Sequence, residues 1–485
     1  MGDWKTTDGL PRRRRHRALS PLREHLRDTF WFAPTAALVL VFVVWSAATA
    51  ADDAILTALR DAGDEDAVSD LLGIAEDAKT VVTTISAAMM TFIGVVFSIS
   101  LVAVQMAAGQ FSPRVVRIFV RSRITKATFA VFLATFVQSL LVLTSYDSQR
   151  DPSLVASIPL VQSVLTLILV GLSVVLFVMY VNSTLRLMRV AHVVDLITRE
   201  ALRVVANMPL DVSAEEPVGD TSTGTGTGTG TGSSRGPGPG PGPGPGPGAS
   251  SGPGPGSGSD LGPETARIAH HGRAGVLRDV DIARLVRMAR QSGVVLRLVP
   301  RIGDFVVPGT PVFAVHGGPA TKGLRALSLQ VSVGAERTFH QDLGFGLRQL
   351  SDIALRALSP AVNDPTTAVQ AVDRIVQFLS SVAQRPLGVL LHRDRRGTVR
   401  LVQPVPGWAE LVDLAFSEIR GCAVASPQVT RRLLAGLDDL LGAVAEDRRA
   451  PLVRHRTLLT QAVERAVPEA ADRAFALHPD RQGIG

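Results

Sequence analysis

Asp77, Thr84, Thr91, Ser98, Gln105 and Ser112 recur at every seventh position of this chain. A seven-residue repeat holds one face of a helix, drifting by only about 20° per heptad. The six residues therefore share a stripe, and Ala87 and Gly94 fall beside it. Two chemistries suit such a stripe. Hydroxyls and an amide on a common face can stand in for a solute's hydration shell and line a water-filled path built from several copies of one helix. Small and hydroxyl-bearing residues can equally form a dry helix–helix seam. The pore-lining or seam set is Thr84, Thr91, Gly94, Ser98 and Gln105; the path predicts a homo-oligomer, and the seam predicts oligomer or bundle contacts. Directly after it, within Gln110–Lys126, Arg114, Arg117 and Arg121 share one helical face. They read as a basic ring at the inner mouth of a pore, as a contact for anionic lipid, or as topology charge alone.

A second polar concentration runs from Arg337 to Asp352 and on through Ala357–Ala368. His340, Asp342, Asp352, Asn363, Asp364 and Asp373 carry oxygen and nitrogen atoms of the kind that bind metals. That region has no His-Glu-x-x-His, P-loop or Gly-x-Ser-x-Gly arrangement. We expect a gating, interface or ligand-contact role for Asp342, Arg348, Asp352, Asn363, Asp364 and Thr367, with no catalytic residue, no metal and no cofactor. Asp364 before Pro365 reads as a helix start, with a side-chain acceptor at the cap and proline where its missing N–H costs nothing. Gly344 and Gly346 read as close-packing positions, not as a phosphate cradle.

The elements that must hold these residues begin with four uncharged stretches, Phe30–Ala50, Thr80–Ala108, Ala127–Tyr146 and Ile158–Ser183. Each is about 20 residues or longer, enough to cross the ~30 Å hydrocarbon layer as a helix. None contains Asp, Glu, Lys, Arg or His, so the fold class expected is a four-span α-helical membrane protein. Ion-coupled transporters usually keep an ionisable group at membrane depth, and its absence here favours a passive pore or an anchor over a pump. The single cysteine, Cys422, excludes a disulfide framework and a cysteine-built zinc site. The net charge of +7 is explained by bases beside the spans, so no nucleic-acid partner is expected.

Charge alternates from loop to loop. Arg12 to Arg27 precede the first span; the next loop, Asp52–Lys79, is strongly acidic; the loop after the second span holds Arg114, Arg117, Arg121, Arg123 and Lys126 without an acid. By the positive-inside rule both termini and the C-terminal region lie in the cytoplasm of a bacterial inner membrane. A rival reading takes the first span, ending Ala48-Thr49-Ala50, as a cleavable signal peptide.

Residues 209–266 read as a disordered tether, with a Thr-Gly repeat and a Gly-Pro repeat that cannot bury a core. Residues 267–334 read as a small β-rich module, barrel- or sandwich-like, with strands at Ala274–Val280 and Val294–Val299, a helix at Ile282–Gln291, and turns at Gly303-Asp304 and Pro308-Gly309. Residues 335–476 read as a helical module. Its helices are expected at Glu336–Leu358, Pro365–Gln384, Trp408–Gly421, Pro427–Glu446 and Leu452–Val467, with a hairpin at Leu387–Val402 turning at Arg396-Gly397. Leu185–Met208 reads as a helix running on from the fourth span.

The stretch Ala357-Leu358-Ser359-Pro360-Ala361-Val362-Asn363-Asp364-Pro365-Thr366-Thr367-Ala368 resembles the Ala-Leu-Ser-Pro-Ala-x-Asn-Asp-Pro-x-Thr-Ala motif of a family of uncharacterised bacterial predicted membrane proteins. Asp342 to Arg348, Asp352-Ile353-Ala354, the Phe111–Arg114 turn and Gly303-Asp304-Phe305-Val306 extend the likeness. It covers about residues 23–208 and 274–416, leaves out the repeat linker, and implies membrane residence without an activity to transfer. The function expected is a homo-oligomeric channel or passive transporter for ions or small solutes, gated or assembled by its cytoplasmic part. The alternative is a membrane-anchored sensor or scaffold that does not conduct; a membrane hydrolase is a distant third.

Overall fold

The computed structural model describes residues 32–62, 65–110, 123–146, 158–187, 189–208, 261–318 and 324–482. The basic N-terminus, Ser112, Arg114, Arg117, Arg121 and the tether up to residue 260 lie outside the described residues.

Four helices, α1 (Phe32–Asp61), α2 (Glu65–Gln110), α3 (Arg123–Ser145) and α4 (Leu160–Leu187), are long and apolar enough to cross a membrane. Their hydrophobic side chains cover the backbone, whose polar groups are satisfied within each helix. α3 is the central helix: 44% of its apolar window is buried inside the bundle, against 17% for each of the others. α2 has 46 residues, about 69 Å at 1.5 Å per residue, so it reaches well beyond the bilayer.

Polar ties fasten one end of the bundle. The Asp52 carboxylate accepts from the Val161 amide at 2.7 Å, which places an acid at the start of α4, where it caps the helix and meets its positive end. Gln162 donates to Thr49 Oγ1 at 3.2 Å and accepts from Ser145 at 3.1 Å. Tyr146 and Ser163 pair at 2.7 Å, and the Lys79 ammonium lies 5.7 Å from the centre of the Tyr146 ring.

The chain does not run on unbroken after α4. Arg189 is extended, and a separate helix α5 (Val190–Asn207) begins there. This corrects the single helix expected over Leu185–Met208. The break turns the apolar face of α5 (Val193, Ile197, Ala201, Val205) into a core shared with the C-terminal helices.

That core belongs to α7 (Leu343–Ala357), α8 (Pro365–Val382), α9 (Trp408–Ala423), α10 (Pro427–Ala443) and α11 (Arg449–Ala466), with a short α12 (Ala470–Ala476) at the end. The strands and α6 (Ile282–Gln291) come before α7, apart from the last hairpin. β1 (Glu264–Ala269), β5 (Pro311–His316), β3 (Val295–Leu298), β8 (Val399–Pro404) and β7 (Val389–Arg393) form one sheet in that order. β4 (Phe305–Val306), β2 (Gly275–Val280) and β6 (Val331–Gly334) form a second.

Three expectations change. The strands make two sheets and, among the described residues, no closed barrel. The five-stranded sheet crosses the module boundary, because β8 pairs in parallel with β3 through Leu296 and Leu401 and so brings the 387–402 hairpin out of the helical region. The tether ends earlier than residue 266, since Glu264 already pairs with His316 in β1.

Gly346 shows how tightly α5 meets α7. A methyl group there would collide with the side chain of Ala201 and touch Phe339. Gly346→Ala should therefore lower the thermal midpoint in detergent by the equivalent of about 1–3 kcal/mol, as overpacked core sites do. Gly421→Ala, in a helix with open space around it, should be neutral or stabilising by about 0.5–1 kcal/mol. Equal responses at the two sites would contradict this packing.

Candidate functional site: the outward face of α2 and the sheet–helix junction

Among the described residues, the buried apolar side chains of α2 repeat every seven positions, Ala75, Val82, Met89, Val96 and Ala103, with the buried Ser86 between them. Met89 and Val96 pack with Phe132 of α3 and Tyr180 of α4 in the centre of the bundle. Ala103 belongs to the core of the C-terminal helices. The polar stripe lies two positions further on, about 160° around the helix at 100° per residue. Accordingly Thr84, Ala87, Thr91, Gly94, Ser98 and Gln105 are all exposed on the outside of the subunit. Thr84 bonds back to the Thr80 carbonyl at 2.9 Å, and nothing lies within 4 Å of where a side chain on Gly94 would be. The alternating spacing of three and four is that of a helix–helix seam, and among the described residues of one subunit nothing covers it.

The second polar set forms a junction between the sheets and the helices. Asp342 is the N-cap of α7: its side chain accepts from the Phe345 amide at 3.0 Å and takes a two-armed pair from Arg337, Nε at 2.8 Å and Nη2 at 2.9 Å. Helix α7 thus starts at Leu343, seven residues later than the start expected at Glu336, because the residues before it make non-local contacts. Gln341 has a left-handed backbone (φ 58°), and its side chain bonds both the amide and the carbonyl of Val280 in β2. His340 stands 3.3 Å from the buried Asp279. The Gly303 turn closes the same spot. Its φ of +101° suits glycine, and a Cβ there would lie 2.6 Å from Asp342 and 3.0 Å from Arg337. Two separate stretches singled out by the resemblance, Gly303–Val306 and Asp342–Arg348, therefore meet in space.

The remaining motif residues are not brought to this point. Arg348 pairs with Asp352 at 2.8 Å and with Glu418 of α9 at 2.9 Å. Asp364 caps α8 through the Thr367 amide at 3.0 Å, and the Thr367 hydroxyl also donates to it. Asn363 supplies the left-handed bend before it, at φ 47°. Asp373 pairs with Arg432 of α10. His340, Asp342, Asp352, Asn363, Asp364 and Asp373 thus serve separate caps, bends and ion pairs, and among the described residues no group of three His, Cys, Asp or Glu side chains is placed to hold a metal. The sequence reading missed Asp52, whose partner lies 109 residues away, and the buried amide Gln138. A neutral Gln inside a charge-free span carries no charge signal.

With this geometry in place, the chain can be compared with known proteins. Residues 27–439 match the model of the DUF2254 family, described as predicted membrane proteins, and the chain belongs to that family. Proteins described only as uncharacterised, from Mycobacterium bovis and Mycobacterium tuberculosis, are 30% identical to it over 416 residues, covering 84% of this chain and 72% of theirs. No solved structure matches it.

Burial pushes the Asp342 carboxyl above its ordinary range, although the bonds from Arg337 and the amide of Phe345 pull the other way. A carboxyl raised in the folded state favours folding increasingly as pH falls from neutral towards its unfolded value near 4. The thermal-midpoint advantage of wild type over Asp342→Asn should therefore grow between pH 7 and 5. A shrinking advantage would show that the Arg337 pair outweighs burial. Asp342→Ala, which strands Arg337 and removes the cap, should cost about 3 kcal/mol or more.

Proposed function

We propose that this membrane protein assembles as a homo-oligomer through the outward stripe of α2, and that copies of that stripe line a passive path for ions or small solutes. The observation carrying this reading is the exposure of Thr84, Thr91, Gly94, Ser98 and Gln105 on the side of α2 opposite its own bundle. Hydroxyl and amide groups do not gain by facing lipid tails; a second copy or water is the natural neighbour. Each interhelical hydrogen bond in a membrane contributes only about 0.6 kcal/mol on average, so assembly would draw on close contact along the whole small-residue seam. The path holds no charged side chain between Lys79 and Gln105, which suits downhill passage and requires no catalytic step or cofactor.

The lipid bilayer and the permeating solute are the partners this reading requires. The bacterial inner membrane, with both termini in the cytoplasm, is the location it takes from the charge pattern. In this reading the C-terminal region would act on the path through Ala103 of α2, which lies in its core. Arg114, Arg117 and Arg121 would then stand at the inner mouth.

A sensor or scaffold without conduction is the second reading. It is favoured by the Gly303–Asp342 junction, which ties the sheets to the helices and would transmit a ligand or partner signal equally well.

The two are separated in a Cys422→Ser background. Thr91→Cys or Ser98→Cys should form cross-linked dimers in lipid, while Val96→Cys, on the buried face, should not. Thr91→Leu or Gln105→Leu should change conductance in planar bilayers. Cross-linking without any conduction would leave the scaffold; cross-linking at Val96 alone would remove assembly through the stripe and with it the path.

A further inference from the structure

A groove runs between α2 and α4 in the membrane-spanning part. Ile85, Ala88 and Phe92 of α2 and Val174 of α4 line its sides, and the buried Phe132 and Ser173 lie beneath. Ala88, Phe92 and Val174 are exposed, so the groove opens to the outside of the subunit. The Phe92 ring stacks on Phe132 at 6.3 Å and meets the edge of Phe177 at 5.6 Å, which holds that wall in place.

The volume of the groove is about 70 Å³. Ser173 spends its hydroxyl on Thr135 at 3.0 Å, and no polar atom is exposed on the lining. The occupant is therefore apolar. A closed apolar cavity of ~150 Å³ holds benzene, so this one holds about half as many atoms. That suits the end of one side chain, such as a methionine, better than the length of a lipid tail. Filling it matters, because helices in a bilayer associate through close packing.

The same helix carries a side chain of that kind. Met90 is 63% exposed. At 100° per residue, Ala88, Phe92 and Ile85 lie about 60–120° from Thr91 in one direction around α2, and Met90 lies about 100° from it in the other. The polar stripe thus has a groove on one flank and a projecting methionine on the other. The small residues Ala87 and Gly94 fall on the Met90 side, where a neighbouring helix can come close. Copies inserted the same way across the bilayer hold equivalent residues at one depth, and Met90 lies within the levels from Ile85 to Phe92.

We propose that Met90 of one copy fills the groove of the next, so that the copies join head to tail into a ring of three or more. This rests on the reading of the stripe as the assembly face and adds which flanks meet. In a two-fold pair the stripes face each other and both flanks point away from the partner. In a larger ring each copy turns one flank to each neighbour, and such a head-to-tail contact closes by rotation.

The test uses full-length protein in lipid, the Cys422→Ser background and a short thiol-reactive cross-linker. Copies carrying Met90→Cys, co-expressed with copies carrying Val174→Cys, should give cross-linked dimers, and neither copy alone should. Both substitutions in one chain should give a ladder of trimers and larger species. If Thr91→Cys cross-links while the Met90–Val174 pair does not, the head-to-tail ring is overturned, the groove is left to lipid, and assembly through the stripe stands. If Thr91→Cys fails as well, both readings fall. Val174→Cys linking to its own kind would overturn the ring too.

Discussion

The arrangement of the whole membrane part depends on one constraint, the seven-residue burial of α2 at Val82, Met89, Val96 and Ala103. These side chains fix which face of the helix meets α3 and α4, and at Ala103 the same face continues into the core of the C-terminal helices. A heptad repeat does not let the opposite face wander, so the stripe from Thr84 to Gln105 is held outward along its length. The polar face is thus a consequence of apolar packing behind it. Loss of Val96 or Met89 would act on the stripe without touching any residue in it.

A second tier of contacts joins the membrane bundle to the rest. Helix α5 folds back from α4 at Arg189 and buries Val193, Ile197, Ala201 and Val205 against the C-terminal helices, with Gly346 of α7 against Ala201. The sheets are tied in turn to α7 by Arg337, Gln341 and Asp342, and to α9 by Arg301, which bonds Glu410 at 2.9 Å. The sheets therefore contact α7, which packs on α5, the helix that follows α4.

Much of this was legible in the sequence for physical reasons. Spans announce themselves because charge is expensive in hydrocarbon. The helix Ile282–Gln291 agrees with α6 residue for residue, since its apolar spacing and its Asp281 cap are local. The cap at Asp364, with Pro365 behind it, is local as well. What was hidden depends on distant partners. The parallel pairing of Leu296 with Leu401 leaves no mark on either segment, so the 387–402 hairpin reads as local to the helical module although it extends the five-stranded sheet. The residues Arg337–Asp342 look helical by composition but are held by Val280 and Gly303. The stripe was readable as a stripe, but which way it faced was not. That required knowing which of two heptad faces the bundle would bury.

The measurement closest to the central claim is a cryo-EM map of the full-length protein in lipid nanodiscs. The account predicts a symmetric assembly in which α2 is the helix nearest the axis and Thr91 and Ser98 of adjacent copies approach one another. A single copy, or an assembly built on another helix with Thr91 facing lipid, would contradict it.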